Sequence, residues 1–278
     1  MLIWKNTATL DGFDDGLNFT QSKIEAEIAL MGSKPIDIVE FPNLKGIFRA
    51  GIGKDNVPEK AAEKKGIVVR YPSDKTINII FNETASFTCS LIFRMLYKNI
   101  GTISPWIKEP RRQLSQKTLL VIGVGKIGSQ VAQLMEQFLN VKTFDIMQNE
   151  ISELKPMIQY ADCVTIHFPK SDKNISFIDA EKLSWMKKNS VLINTARGAI
   201  VDEDALYDEI KSGRLHAAFD VYWKEPYKGK LMEFHPNRFY MTPHVASTSS
   251  SFLEGCREGL DQLIDFLKEN TKRLNESQ

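Results

Sequence analysis

The stretch TLLVIGVGKIGSQ, residues 118–130, decides how this chain folds. An apolar, β-branched run ends in Gly123, Gly125 and Gly128, spaced G-x-G-x-x-G, and IGSQVAQLMEQFL (127–139) then carries apolar side chains at helical intervals. Strand, glycine turn and helix in that order bring backbone N–H groups and a helix N-terminus close enough to hold a pyrophosphate. Glycines after a strand are common, so the pattern alone leaves an ordinary turn open. The next strand, VKTFD, ends in Asp145, about 20 residues past the first glycine, where a carboxylate can accept hydrogen bonds from adenosine ribose hydroxyls and repel a 2′-phosphate. That placement favours NAD over NADP. A simple turn acid, or an S-adenosylmethionine site with similar glycines, would look alike at this point.

Downstream the rhythm continues through the strand candidates CVTIHF (163–168), SVLINTA (190–196) and HAAFDV (216–221). Between the last two, VDEDALYDEIKSG has Asp202 placed to cap a helix, Leu206 and Ile210 one turn apart, and Gly213 at its stop. Alternating strands and helices mean an α/β architecture with a parallel sheet. From about Ser249 onward, Leu253, Cys256, Leu260, Leu263, Ile264 and Leu267 mark an amphipathic helix. In the first ninety-odd residues, LIW (2–4), IDIVEF (36–41) and GIFRAGIG (46–53) suggest strands. KIEAEIALMG (23–32), NVPEKAAEKKG (56–66, closed by Gly66) and NETASFTCSLIFRMLY (82–97) suggest helices. ISPWIKEPRRQLSQ (103–116) has no clear period and is taken as the crossing between two domains.

The bulk composition sets limits on partners. At 278 residues, 42% apolar and 26% charged, the chain has the mix of a soluble globular protein with one large or two ordinary domains. With 36 Lys plus Arg against 35 Asp plus Glu, neither nucleic acid nor an anionic membrane is implied as a partner. The first residues lack the features of a leader and no apolar run is long enough to cross a bilayer, so a cytoplasmic protein is expected. Cys89, Cys163 and Cys256 are widely spaced and suggest small hydrophobes; no disulfide framework and no metal site are expected.

Polar residues at the later strand ends matter because ligands of open parallel sheets sit at the carboxyl ends of strands. Arg197 follows LINTA, Asp220 follows HAAF, Glu225 lies in DVYWKEP, and His244 follows FYMTP. Singly, each has an innocent reading: a structural ion pair, a solvated loop acid, a satisfied turn histidine. Together, a cation, a carboxylate and an imidazole at one sheet edge are the parts needed to reduce a 2-oxo acid. Hydride addition to a ketone leaves charge on oxygen, and histidine is the side chain suited to supply the proton. A carboxylate on the other ring nitrogen steadies the imidazolium, for which Glu225 is the candidate. A guanidinium, here Arg197, binds the substrate carboxylate and polarises the carbonyl with a fixed geometry that lysine lacks.

On the stretches FRAGIGKDNV, VIGVGKIG, ADCVTIHFP, FIDAEKLSWMK, LINTARGAIVDEDAL, AAFDVYWKEP and MTPHVA, the sequence resembles the D-isomer-specific 2-hydroxyacid dehydrogenases. The resemblance runs from about Leu44 to Leu260. It implies a Rossmann-type doubly wound sheet, residues 94–246, binding NAD and inserted into a smaller flavodoxin-like substrate-binding domain of residues 1–93 and 247–278, with hinges at the two crossings. It implies that Arg197, Glu225 and His244 are catalytic. Gly123, Gly125 and Gly128 would form the cofactor turn, the backbone of Lys126 and Ile127 would hold the pyrophosphate, and Asp145 the ribose. His167, Phe168 and Pro169 would line the adenine side, with Thr195, Ala196 and Asp220 near the nicotinamide. Backbone amides of Gly51, Ile52 and Gly53 would join Arg197 and His244 in holding the substrate. A homodimer associated through the cofactor domains is also implied.

Departures leave the substrate open. SKPIDIVEFPNLKG leaves little room for the Arg- and Ser-bearing substrate loop of the family, and INIIF with Phe81, Asn82 and Glu83 replaces a more polar approach to the next helix. A phosphate-carrying substrate is therefore not expected, nor is regulation through a further C-terminal domain. The favoured substrate is a small 2-oxo acid, hydroxypyruvate or glyoxylate, with its D-2-hydroxy acid as product. A catalytically silent NAD(H) sensor and a methyltransferase are the alternatives.

Overall fold

The computed structural model describes residues 1–276. Two compact units are present, residues 1–80 with the C-terminal segment from Ser247, and residues 81–246. The first is built on a parallel five-stranded sheet in the order β2-β1-β3-β4-β5, with β1 Leu2–Lys5, β2 Asn18–Phe19, β3 Ile28–Met31, β4 Gly46–Arg49 and β5 Val68–Arg70. All four residues of β3 are buried, so a helix over KIEAEIALMG does not form. A run buried on both faces has no alternation to betray a strand, and its apolar spacing imitates a helix. IDIVEF likewise is not a strand: Ile38–Glu40 form a single 3₁₀ turn, with Asp37 accepting the Val39 N–H at 2.9 Å, between Pro35 and Pro42.

Helix α1 (Glu59–Lys64) ends before Gly66, whose φ of +68° stops it as expected. Helix α2 runs Asp74–Leu96, so INIIF belongs to it, and the division between units falls inside it at 80/81 rather than at 93/94. The reason is packing: from Ala85 through Leu96 its apolar residues lie in the core of the second unit with Leu119 and Val121. The amphipathic C-terminal helix α7 (Ser250–Glu276) sets Leu260, Leu263 and Leu267 into the first unit's core with Ile28 and Phe48. Gly46 admits it, since a Cβ there would lie 2.8 Å from a methyl of Leu267.

In the second unit, the stretch expected to be a crossing is a small antiparallel hairpin, β6 (Gly101–Thr102) and β7 (Ile107–Lys108), turned by a Thr102 hydroxyl bond to the Pro105 carbonyl at 2.6 Å. Six parallel strands then form a sheet in the order β9-β8-β10-β11-β12-β13: β8 Thr118–Ile122, β9 Asn140–Phe144, β10 Cys163–Ile166, β11 Val191–Asn194, β12 His216–Phe219 and β13 Phe239–Met241. Helices α2 and α3 (Lys126–Met135) cover Leu119, Val121 and Ile193 on one face. Helices α4 (Ile151–Tyr160), α5 (Ala180–Trp185) and α6 (Glu203–Lys211) cover Leu120, Ile122 and Leu192 on the other. Neighbouring strand residues point to opposite faces, which is why the inner strands β8, β10 and β11 are almost wholly apolar, whereas the edge strand β9, NVKTF, is not. This is the doubly wound architecture. The chain leaves β8 for β9 on one side and returns to β10 on the other, placing a topological switch point between the ends of β8 and β10. Among the described residues no helix is long and apolar enough to cross a membrane, and no cluster of His, Cys, Asp and Glu is arranged to hold a metal.

Candidate active site

The glycine turn sits at that switch point, and each glycine is there for a separate reason. Gly123 has φ +91°, and a Cβ on it would lie 2.8 Å from the His167 carbonyl carbon at the end of β10. A Cβ on Gly128 would meet the Gly123 oxygen at 1.9 Å, so its absence lets α3 seat on the strand end. Gly125 is different: nothing lies within 4 Å of the Cβ position, and as N-cap it supplies no side-chain acceptor to the first turn of α3. The amides of Lys126 and Ile127 thus begin a helix whose positive end lacks a side-chain cap, a place for a pyrophosphate.

Asp145 closes β9, accepting the Val124 N–H at 2.8 Å and the Met147 N–H at 3.0 Å. It ties the glycine turn to the neighbouring strand end, and its remaining lone pairs are suited to ribose hydroxyls. His167, Phe168 and Pro169 follow β10 beside this turn. The His167 Nε2 pairs with the Thr165 hydroxyl at 2.9 Å, and burial pushes its pKa down to about 3, keeping the ring neutral. Phe168 packs edge-on against Phe177 at 5.3 Å between centroids. These residues fit a dinucleotide: an open glycine cradle, a helix N-terminus, an acid at the adjacent strand end and a neutral, apolar flank.

The polar edge lies at the ends of β11, β12 and β13. Asn194, fully buried, accepts the Ala196 N–H at 3.0 Å and donates to the Arg197 carbonyl at 2.9 Å, which fixes the turn carrying the arginine. Thr195 is buried beside Thr88, hydroxyl to hydroxyl at 2.9 Å. Arg197 Nη1 donates to the Ala196 carbonyl at 2.7 Å. A Cβ on Gly198 would fall 2.1 Å from the Tyr222 carbonyl carbon, so only glycine lets this turn press against the Tyr222–Trp223 backbone. Trp223 Nε1 then donates to the Val201 carbonyl at 2.6 Å, and the Tyr227 hydroxyl to Glu203 at 2.7 Å.

Glu225 and His244 meet at this edge. Nδ1 of His244 lies 2.9 Å from Oε2 and 3.1 Å from Oε1 of Glu225, and both side chains are partly exposed. His244 is held in a left-handed conformation, φ +57°, by a tight turn onto the Thr242 carbonyl and by Asp220. The Asp220 carboxylate, wholly buried, accepts the Thr242 hydroxyl at 2.6 Å and the N–H groups of Val245 and Ala246 at 2.9 Å each. Burial pushes its pKa up, against the opposing pull of those three bonds and of His244. Tyr222 braces both sides: its N–H donates to Glu225 at 3.2 Å, and its hydroxyl lies 2.8 and 2.9 Å from the carbonyls of Phe219 and Thr242. Burial pushes the Tyr222 phenol up as well, so it remains a donor.

Gly51, Ile52 and Gly53 follow β4 in the other unit. Gly51 has φ +143°, and the buried Arg49 donates to the carbonyls of Ala50 at 2.5 Å and Gly53 at 3.2 Å, so the loop is wrapped around a guanidinium. Sequence reading overlooked Arg49, Asn194, Gly198, Tyr222 and Thr242. Asn194 and Gly198 were legible in principle, because an amide ending a buried strand demands partners and a glycine after Arg197 announces a close approach.

Residues 101–246 match the sequence model of the D-isomer specific 2-hydroxyacid dehydrogenase NAD-binding domain. The chain is 32% identical over 261 residues to a glycerate dehydrogenase of Methylorubrum extorquens, an alignment covering 86% of this chain and 81% of that protein. It is 29% identical over 255 residues to a hydroxypyruvate reductase of Thermotoga maritima, covering 84% and 80%. It is 35% identical to a D-3-phosphoglycerate dehydrogenase of Methanocaldococcus jannaschii, but covers only 44% of that protein's length against 77% of its own. Among solved structures it is similar to D-lactate dehydrogenase from Aquifex aeolicus complexed with NAD and lactic acid, with TM-score 0.76, 23% identity, and 99% and 98% of the two chains covered.

Proposed function

Because the chain belongs to the D-isomer-specific 2-hydroxyacid dehydrogenases, which are NAD-dependent oxidoreductases, we propose that it interconverts a small 2-oxo acid and its D-2-hydroxy acid, with hydroxypyruvate or glyoxylate as the oxidised partner. The observation that carries this reading is the His244–Glu225 pair at 2.9 Å, at the sheet edge that also bears Arg197. NAD, when bound, accepts or supplies the hydride, and the glycine turn, the amides of Lys126 and Ile127, Asp145, the 167–169 segment, Thr195, Ala196 and Asp220 would hold it.

The work of this chain's own residues is to bind, orient and move one proton. With Nδ1 turned to the carboxylate, the Nε2 atom of His244 is the one that gives its proton to the oxygen of a reduced carbonyl and takes it back in the reverse direction. Glu225 stabilises the imidazolium and fixes the tautomer. The guanidinium of Arg197 binds the substrate carboxylate, and the Gly198 contact keeps it from drifting.

The substrate assignment is supported by the relatives' names, which include glycerate dehydrogenase, hydroxypyruvate reductase and glyoxylate reductase. We also propose a cytoplasmic homodimer, for which light scattering after gel filtration is the check. The test of function is NADH oxidation with hydroxypyruvate, glyoxylate, pyruvate and 3-phosphohydroxypyruvate, beside Arg197→Ala. Turnover of one of the first two that collapses in the variant supports the reading, and preference for the phosphorylated acid refutes it.

A further inference from the structure

Helix α2 carries a polar residue where its spacing calls for an apolar one. Thr88 stands three residues after Ala85 and four before Ile92, on the stripe that packs into the second unit's core, and it is fully buried. A hydroxyl there adds no apolar area and has to be hydrogen-bonded. Its single hydrogen goes to the Thr84 carbonyl, one turn back, at 2.7 Å. The 2.9 Å bond between Thr88 and Thr195 is therefore donated by Thr195, with the Thr88 oxygen as acceptor. A directed chain of hydroxyls thus runs from the exit of β11 into the backbone of α2.

The two residues at that exit serve opposite faces. In β11, Val191 and Ile193 lie in the core that α2 and α3 cover, and Leu192 lies in the other. Thr195 continues on the α2 side. Asn194, on the other side, closes the turn on itself through the Ala196 N–H at 3.0 Å and the Arg197 carbonyl at 2.9 Å. Those two bonds set the shape of the turn, whereas the Thr195 bond ties the turn to a separate element. We propose that Thr88 is a positioning residue for Arg197: by accepting the Thr195 hydroxyl it pins the exit of β11 to α2 and so fixes where the arginine, two residues on, stands at the sheet edge. Thr88 acts through Thr195, and its effect on turnover rests on the role proposed above for Arg197 in binding the substrate carboxylate.

The direction of the chain makes its two ends unequal. Thr88→Val keeps the branched shape but leaves the Thr195 hydroxyl a buried donor without its acceptor, which costs more than the bond contributed. Thr195→Val removes the donor instead, and the Thr88 hydrogen stays on the Thr84 carbonyl. Thr88→Ser retains the acceptor.

The test joins hydrogen exchange, read by mass spectrometry on the intact chain, to steady-state kinetics of the same preparations. Exchange over residues 194–198 is expected to quicken about tenfold in Thr88→Val, less in Thr195→Val and hardly at all in Thr88→Ser, with residues 119–122 of β8 unchanged as the internal reference. In Thr88→Val, KM for the 2-oxo acid should rise about tenfold while kcat and NADH affinity stay near those of the unsubstituted chain, and Thr88→Ser should restore it. Unchanged exchange over 194–198, or a rise matched over 119–122, overturns the pinning role whatever the substrate. Faster exchange with an unaltered KM, or with equal losses in KM and NADH affinity, overturns the link to Arg197. An unsubstituted chain that reduces no 2-oxo acid refutes the proposed function, and with it that link, while the exchange arm still decides the pinning. If Thr88→Val does not fold, Thr195→Val carries the exchange comparison, and the absence of a local rise there overturns the proposal.

Discussion

Gly198 lies directly against the backbone of Tyr222, close enough that an added methyl would fall 2.1 Å from the Tyr222 carbonyl carbon and 2.5 Å from the Trp223 nitrogen. The contact joins the turn that carries Arg197 to the loop that carries Glu225. Gly198→Ala is therefore expected to cost about 1–3 kcal/mol of stability through overpacking, and to raise KM for the 2-oxo acid more than KM for NADH. Denaturant unfolding and steady-state kinetics check both parts.

Tyr222 offers a finer probe of the same scaffold. Tyr222→Phe leaves the N–H bond to Glu225 in place and removes the hydroxyl between Phe219 and Thr242. A loss of about 1 kcal/mol in stability is expected, the net worth of one hydrogen bond, with kcat lowered and NADH affinity unchanged. Equal losses in kcat and in NADH binding would mean that the hydroxyl supports the whole sheet edge rather than the His244 turn.

Asp145 should control the choice of cofactor. In Asp145→Ala, the anchor of the Val124 N–H is lost with the carboxylate, so KM for NADH should rise by about tenfold, while KM for NADPH rises less or falls. Parallel titrations with the two cofactors decide it, and an unchanged NADH-to-NADPH ratio would remove Asp145 from the ribose site.

Two part-buried histidines make the fold sensitive to acid. His167 and His216 are pushed down by burial to about 3 and about 4, below the ordinary value of 6.5, so the unfolded chain binds protons that the folded chain refuses. Their neutral forms carry no penalty above pH 6.5, and stability falls as pH drops from 6.5 toward 4. Asp220, shifted upward, acts with the opposite sign in the carboxylate range. Tm measured from pH 7 to pH 4.5 should fall, and fall less in His216→Gln; a variant with the same slope would contradict the assignment.

How much of this was legible in the chain depended on burial. The glycine turn, Asp145, the Asp202 cap and the amphipathic α7 were all readable, because a positive φ, a strand-end acid, a capping carboxylate and a leucine stripe leave local marks. The Asp202 side chain does accept the Ala205 N–H at 2.8 Å. β3 was misread because IALM is buried on both faces, and the hairpin at 101–108 was misread because its strands are two residues each. At the site, the types and strand-end positions of Arg197, Glu225 and His244 could be read in advance. The bracing by Tyr222 could not, since it rests on contacts between the loops after β12 and β13 that no spacing encodes.

The proton-transfer assignment stands or falls on His244. The measurement is kcat for NADH-driven reduction of the preferred 2-oxo acid by His244→Asn, with NADH affinity determined by fluorescence on the same preparation. The expected result is a fall in kcat of about 10²-fold or more, the usual worth of a positioned general acid, with NADH bound as before. Turnover close to that of the unsubstituted chain, with NADH binding intact, would contradict it and move the proton donor elsewhere.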